Sequence, residues 1–163
     1  MRITATMIEQ WADQPEAQGL LAVLIRRLIG ASTELTELSI RGADTSNFAG
    51  WDGAISAGQA TAWVPAGPSR WEWGVSETPE RKANSDLGTR TDDTPADQAS
   101  ELGFVFVTPR IWAGKTAWRQ NAAIRTPWRE VRAYDADDLE SWLETAGGVA
   151  LWFGELLGIQ GPQ

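Results

Sequence analysis

The chain predicts an α/β (α+β) domain with a central mixed β-sheet flanked by helices. Three observations predict it: apolar stretches at period two, amphipathic stretches at helical period, and strict alternation of the two over the second half. Residues 18–31 place Leu20, Leu21, Leu24, Ile25 and Leu28 on one helical face, with Gly30 near the end. Residues 38–41 and 53–57 read as short strands separated by a Gly- and Asp-containing loop. Residues 61–64 extend the second strand or add a further piece of sheet, and Pro65-Ala66-Gly67-Pro68 is a turn. Residues 70–75 alternate Trp71, Trp73 and Val75 with Arg70, Glu72 and Gly74, which is a strand.

Thr78-Pro79-Glu80 starts a helix with a hydroxyl cap, a proline at the first position and an acid favoured by the dipole. It should run to about Arg90. Residues 91–101 are polar, with Pro95 and four acids, and predict a mobile loop. The continuous apolar run 104–107 is a strand buried on both faces. Residues 111–123 follow as a helix weakened by Gly114, and 131–134 as another buried strand. Asp135 or Asp137 caps a helix through Glu144, and 149–157 form the last helix. Such alternation implies parallel strands joined by crossover helices. One domain spans 1–158, and 159–163 read as the start of a linker or tail.

Composition removes whole classes of chemistry. Among 163 residues there is neither cysteine nor histidine, so disulfides, thiol nucleophiles, zinc ribbons and Ser–His–Asp triads are excluded. No Gly-rich phosphate loop is present. The longest apolar run, Leu20 to Ile25, is too short to span a bilayer, and nothing at the N-terminus marks secretion. The expectation is a cytoplasmic protein with no membrane partner. A net charge of −8 argues against nonspecific coating of nucleic acid. Yet residues 104–132 carry six basic side chains (Arg110, Lys115, Arg119, Arg125, Arg129, Arg132) against Glu130 alone. Ten tryptophans admit either a core role or an indole-lined sugar or small-ligand site.

The chemistry must therefore run on carboxylates, lysine, arginine, hydroxyls or backbone. Asp52 lies in Gly50-Trp51-Asp52-Gly53 and Glu72 in Trp71-Glu72-Trp73. A carboxylate between two inward-pointing neighbours faces the opposite side of its sheet. If the two strands pair, Asp52 and Glu72 share one face within reach of one hard cation, with a backbone carbonyl and waters completing its shell. The alternative is a turn acid at Asp52 and, at Glu72, an exposed strand acid paired with an arginine. Glu16, before the first helix, is a weaker further acid, and the Asp135–Asp138 cluster lacks the spacing of a calcium loop.

The order of these motifs resembles the Mrr-like branch of the PD-(D/E)XK restriction-endonuclease-like superfamily. The residues that carry it are Gly50-Trp51-Asp52-Gly53, Trp71-Glu72-Trp73-Gly74, Arg81-Lys82-Ala83-Asn84, Phe104-Val105-Phe106-Val107-Thr108-Pro109-Arg110, Val131-Arg132-Ala133-Tyr134-Asp135 and Asp138-Leu139-Glu140. The resemblance implies a restriction-endonuclease-like core and Mg²⁺- or Mn²⁺-dependent cleavage of DNA. It also implies a nuclease effector module of a larger bacterial defence protein with NTPase regions, whose further domains or subunits, or copies of itself, would be partners. Asp52, Glu72 and the Trp73 carbonyl would hold the metal, and Lys82 would position or activate water. Arg90, Arg110, Lys115 and Arg119 would face phosphate.

One departure falls at the centre of the motif. The family's Glu-x-Lys lysine is replaced by Gly74. Lys82, on the first turn of the next helix, is the expected substitute; its plain alternative is a surface pair with Asp86 at i,i+4. Gly74 also motivates a second expectation, a catalytically inactive module of the same fold that binds nucleic acid or mediates assembly.

Overall fold

A computed structural model of the chain describes residues 2–40 and 50–158, with 36–40 as backbone only. The expected Gly/Asp loop lies largely in 41–49, and the expected tail in 159–163, both outside the described residues. The elements run α1 (Ala5–Trp11), α2 (Ala17–Ser32), β1 (Leu35–Ile40), β2 (Gly53–Ala57), β3 (Gly67–Trp73), α3 (Pro79–Asp93), α4 (Ala96–Ala99), β4 (Gly103–Val107), α5 (Lys115–Arg125), β5 (Glu130–Tyr134), α6 (Ala136–Glu144) and α7 (Gly147–Leu156).

The five strands lie in sequence order across one mixed sheet. β1, β2 and β3 form an antiparallel meander, and β4 and β5 then add in parallel beside β3. The parallel half needs crossovers because consecutive strands must start from the same edge. α3 with α4 supplies the first, and α5 the second.

Period two in the strands sorts side chains into two cores. On one face Trp71, Trp73, Val105, Val107 and Tyr134 pack with α2 residues Leu21, Leu24, Ile25 and Leu28, and with Trp142 of α6 and Phe153 of α7. On the other, Phe104, Phe106, Val131 and Ala133 meet Ala83 and Leu87 of α3 and Trp118 and Ala122 of α5. β4 is buried at every residue, as a strand covered on both faces must be. Glu72, between Trp71 and Trp73, falls on the α3 side.

The tryptophans are core. Trp11, Trp51, Trp71, Trp73, Trp112, Trp118, Trp128 and Trp142 are all buried. Trp142 stacks on Trp63 at 5.3 Å between ring centroids, and its indole N–H donates to the Ser32 hydroxyl at 2.6 Å. No groove of exposed indoles is found among the described residues, so the reading as an indole-lined ligand site is set aside.

Several local expectations are corrected. Residues 61–64 are a turn, not strand: the Thr61 hydroxyl accepts the Trp63 and Val64 N–H groups at 3.1 and 2.9 Å. Residues 91–101 are not a loop throughout; α3 reaches Asp93 and α4 follows, with Ala99 buried under the second core. Thr91 is held there by the Trp128 indole at 2.9 Å. Thr78 makes no side-chain cap; its own N–H donates to Ser76 Oγ at 3.2 Å. α5 begins four residues later than its pattern suggests, because the Ile111 and Trp112 N–H groups donate to Glu9 and Asp135 carboxylates instead of entering a helix. Asp135 does cap α6, in a reciprocal capping box with Asp138.

Trp142 is wholly buried, whereas Ile124 on α5 is 85% exposed. Trp142→Ala should cost about 3–5 kcal/mol in urea unfolding. Ile124→Ala should stay within roughly 0.5 kcal/mol of the parent.

Candidate functional site

The β2–β3 register decides where the two acids meet. Gly53 pairs with Trp71, and the antiparallel ladder carried one residue further sets Asp52 opposite Glu72. Asp52 lies just before β2, and its Oδ2 accepts the Trp73 N–H at 3.0 Å. The Trp73 carbonyl leaves the strand on the same side as its own N–H, toward Asp52. Glu72 is 2% exposed, and the Asp52 carboxyl lies near enough to raise its pKa. The two acids, twenty positions apart in the chain, are thus neighbours across the β2–β3 ladder.

Isolation from water is the main influence on Glu72. Burial, then the hydrogen bond and the charge of Asp52, push its pKa up to about 9, against the opposing pull of Arg90. At neutral pH the Glu72 carboxyl therefore keeps its proton. Arg90 is its charged neighbour: its Nε donates to Glu72 Oε1 and a second nitrogen to the Gly50 carbonyl. The guanidinium also lies over the Trp51 ring, 5.4 Å from its centroid. Gly50 has φ +79°, and a β-carbon there would overlap the guanidinium, so glycine both makes the turn and leaves room for Arg90.

Lys82 occupies the space left by Gly74. A β-carbon on Gly74 would stand 2.8 Å from Lys82 Cε and 3.4 Å from its Cγ. The lysine stem, rising from the first turn of α3, thus runs over the backbone position where a Glu-x-Lys lysine would begin. Its ammonium donates to Asp86 Oδ1 at 3.0 Å. This is the i,i+4 pair with Asp86 that the alternative reading expected, with the Lys82 side chain 38% exposed and the Asp86 side chain 12%. Burial raises the Asp86 pKa, Lys82 opposes the rise, and the charge of Asp52 adds to it. Asp86 Oδ2 is buried and has no hydrogen-bond partner among the described residues.

Asp86 is the residue that sequence reasoning passed over as a site member. Its signal was present: Lys82, Asp86 and Arg90 recur every four residues, which puts all three on one face of α3.

The expected phosphate strip divides into different environments. Arg90 turns onto Glu72. Arg110 turns inward, donating to Val75 O at 3.0 Å, Asp13 Oδ1 at 2.8 Å and Glu9 O at 3.4 Å, and so ties the end of β4 to α1. Lys115 bonds Asp135 and Asp138; burial lowers its pKa, but these acids outweigh it and hold it above the ordinary lysine value. Arg119 and Lys115 line a cleft of about 530 Å³ between α5 and β5, with Arg129 and Arg132. Glu16 is exposed at the start of α2 and makes no hydrogen bond to the pair. The Asp135–Asp138 cluster serves as helix cap and lysine partner.

Among the described residues no group of three or more His, Cys, Asp or Glu side chains is arranged to hold a metal ion. The available donors at the pair are two carboxyls and the Trp73 carbonyl. All are hard oxygens, the type Mg²⁺ and Mn²⁺ take with water filling the remaining positions. In donor chemistry the place fits such an ion. No helix among the described residues is long and apolar enough to cross a membrane. Compared with known proteins, the chain matches no family model, no curated protein and no solved structure.

The raised Glu72 pKa makes a signed prediction. The native carboxyl keeps its proton to about pH 9, while the unfolded chain releases it near 4.5. Between these values the native state binds more protons, so the stability associated with Glu72 is present below about pH 4.5 and lost as pH rises toward 9. Thermal melts of Glu72→Gln should fall less steeply over that window than those of the parent.

Proposed function

We propose that the domain hydrolyses phosphodiester bonds in DNA with the help of Mg²⁺ or Mn²⁺. The observation that carries this reading is the stem of Lys82 lying over Gly74, two residues beyond Glu72, which stands across the ladder from Asp52. The pairing of the strands that carry the two acids and the Lys82 stem over Gly74 support the motif resemblance. On this reading the fold is a PD-(D/E)XK-type core of the Mrr-like branch. Its setting is a cytoplasmic effector module of a bacterial antiviral defence protein, with further domains, subunits or second copies as partners.

Asp52, Glu72 and the Trp73 carbonyl would hold the ion, which when bound supplies charge neutralisation at a phosphoryl oxygen and a more acidic water. The rest falls to the chain. Lys82, with its ammonium anchored by Asp86, donates a hydrogen bond that orients the attacking water beside Glu72. Water oxygen bonds to phosphorus as the bond to the leaving sugar oxygen breaks; the water proton departs to solvent and the leaving oxygen takes one up. Lys115 and Arg119 in the α5–β5 cleft offer cationic contacts for a flanking phosphate.

A second reading, the inactive module that binds nucleic acid or a partner, draws on Arg90 occupying Glu72 Oε1. Plasmid cleavage with Mn²⁺ separates the two. The parent should nick or linearise DNA, and Asp52→Ala, Glu72→Ala and Lys82→Ala should each lose roughly a hundredfold or more while keeping the parent circular dichroism. Equal activity in Glu72→Ala would remove the assignment, and a wholly inactive parent would favour the second reading. Returning the lysine, as Lys82→Ala with Gly74→Lys, should recover a measurable part of the activity lost in Lys82→Ala alone.

A further inference from the structure

Arg90 and a divalent cation would compete for one place. The guanidinium bonds Glu72 Oε1 from a side chain that is itself only 20% exposed, against a carboxyl that is 3% exposed. A hard cation bound to Glu72 needs the same oxygen, and two positive groups cannot share it in so dry a setting without strong repulsion. The seat for arginine is built by its surroundings: the Gly50 carbonyl accepts from it, the positive φ of Gly50 leaves room for it, and Trp51 lies beneath it.

A second acceptor waits one helical turn back. Asp86 lies four residues before Arg90 on α3, and its Oδ2 is buried with no hydrogen-bond partner among the described residues. Acid and arginine at i,i+4 on one helix face are within reach of each other by a side-chain rotation alone. Arg90 thus has two discrete seats, Glu72 with Gly50, and Asp86.

We infer that Arg90 is a resident counter-cation that closes the carboxylate pair, and that a divalent ion binds by displacing it from Glu72 toward Asp86. The inference rests on the metal-dependent reading above and adds its control. Loading replaces the guanidinium at Glu72 Oε1 with the ion.

Calorimetric titration of purified protein with Mn²⁺ tests it without reference to cleavage. The parent should bind Mn²⁺, Arg90→Gln should bind it about tenfold tighter or more because no guanidinium has to leave, and Glu72→Gln should lose binding. In the unaltered protein, the Arg90 Nε–H resonance, identified by its loss in Arg90→Lys, should be protected from solvent exchange and lose that protection as Mg²⁺ saturates. This second measurement decides the matter if Arg90→Gln fails to fold. A parent that binds Mn²⁺ with Arg90→Gln unchanged or weaker, or with Nε–H protection intact at saturation, overturns the exchange and leaves the metal reading standing. No Mn²⁺ binding by parent or variants up to about 10 mM overturns both.

Discussion

A carboxylic acid buried in mid-strand sets the terms for everything around it. Glu72 stands between Trp71 and Trp73, on the face of the sheet that α3 covers, and almost no water reaches it. An unpaired charge in such a place costs several kcal/mol, so the fold must leave it protonated, pair it, or both. It does both: burial beside Asp52 keeps the Glu72 proton in place, and Arg90 donates to its Oε1. The Gly50 turn and Arg90 of α3 both serve that one group, the turn by leaving room for the guanidinium.

α3 has two faces with two tasks. Ala83 and Leu87 close the second core over Phe104 and Phe106, and that burial fixes the helix against the sheet. The same docking brings Lys82, Asp86 and Arg90 over the ends of β2 and β3, so site geometry is inherited from core packing. Helix periodicity makes this economical. Because one stripe is locked by apolar contact, long side chains on the neighbouring stripe keep their register to within a rotamer. The Lys82 stem accordingly passes close over the backbone of Gly74, which has no side chain to obstruct it.

Much of this was legible in the chain itself. Strand and helix identities followed from period, since Trp71/Trp73 against Glu72 and Leu21/Leu24/Leu28 each have a single favourable placement. The Asp52–Glu72 meeting followed from assuming adjacent strands. What escaped was settled by partners distant in sequence. Residues 111–114 suit a helix locally, yet Glu9 and Asp135 draw off their N–H groups. Residues 96–99 look like loop until Ala99 is seen under the second core. Arg110 reads as a surface cation until Val75, Asp13 and Glu9 surround it. Side chains as long as arginine reach about as far inward as outward, and local pattern does not choose between them.

The sequence alone determined the chemical repertoire and the layer architecture. Without histidine or cysteine only oxygen donors, lysine and arginine remain, and alternating apolar periods allow little besides a sheet between helices. Tertiary structure alone decided which charges meet. It placed Arg90 on Glu72 rather than in solvent, left one oxygen of Asp86 without a partner among the described residues, and laid Lys82 across Gly74. The reason is physical: period fixes the face a residue occupies to within a few tens of degrees, whereas ion pairing in a dry site depends on ångström distances that only the packed core sets.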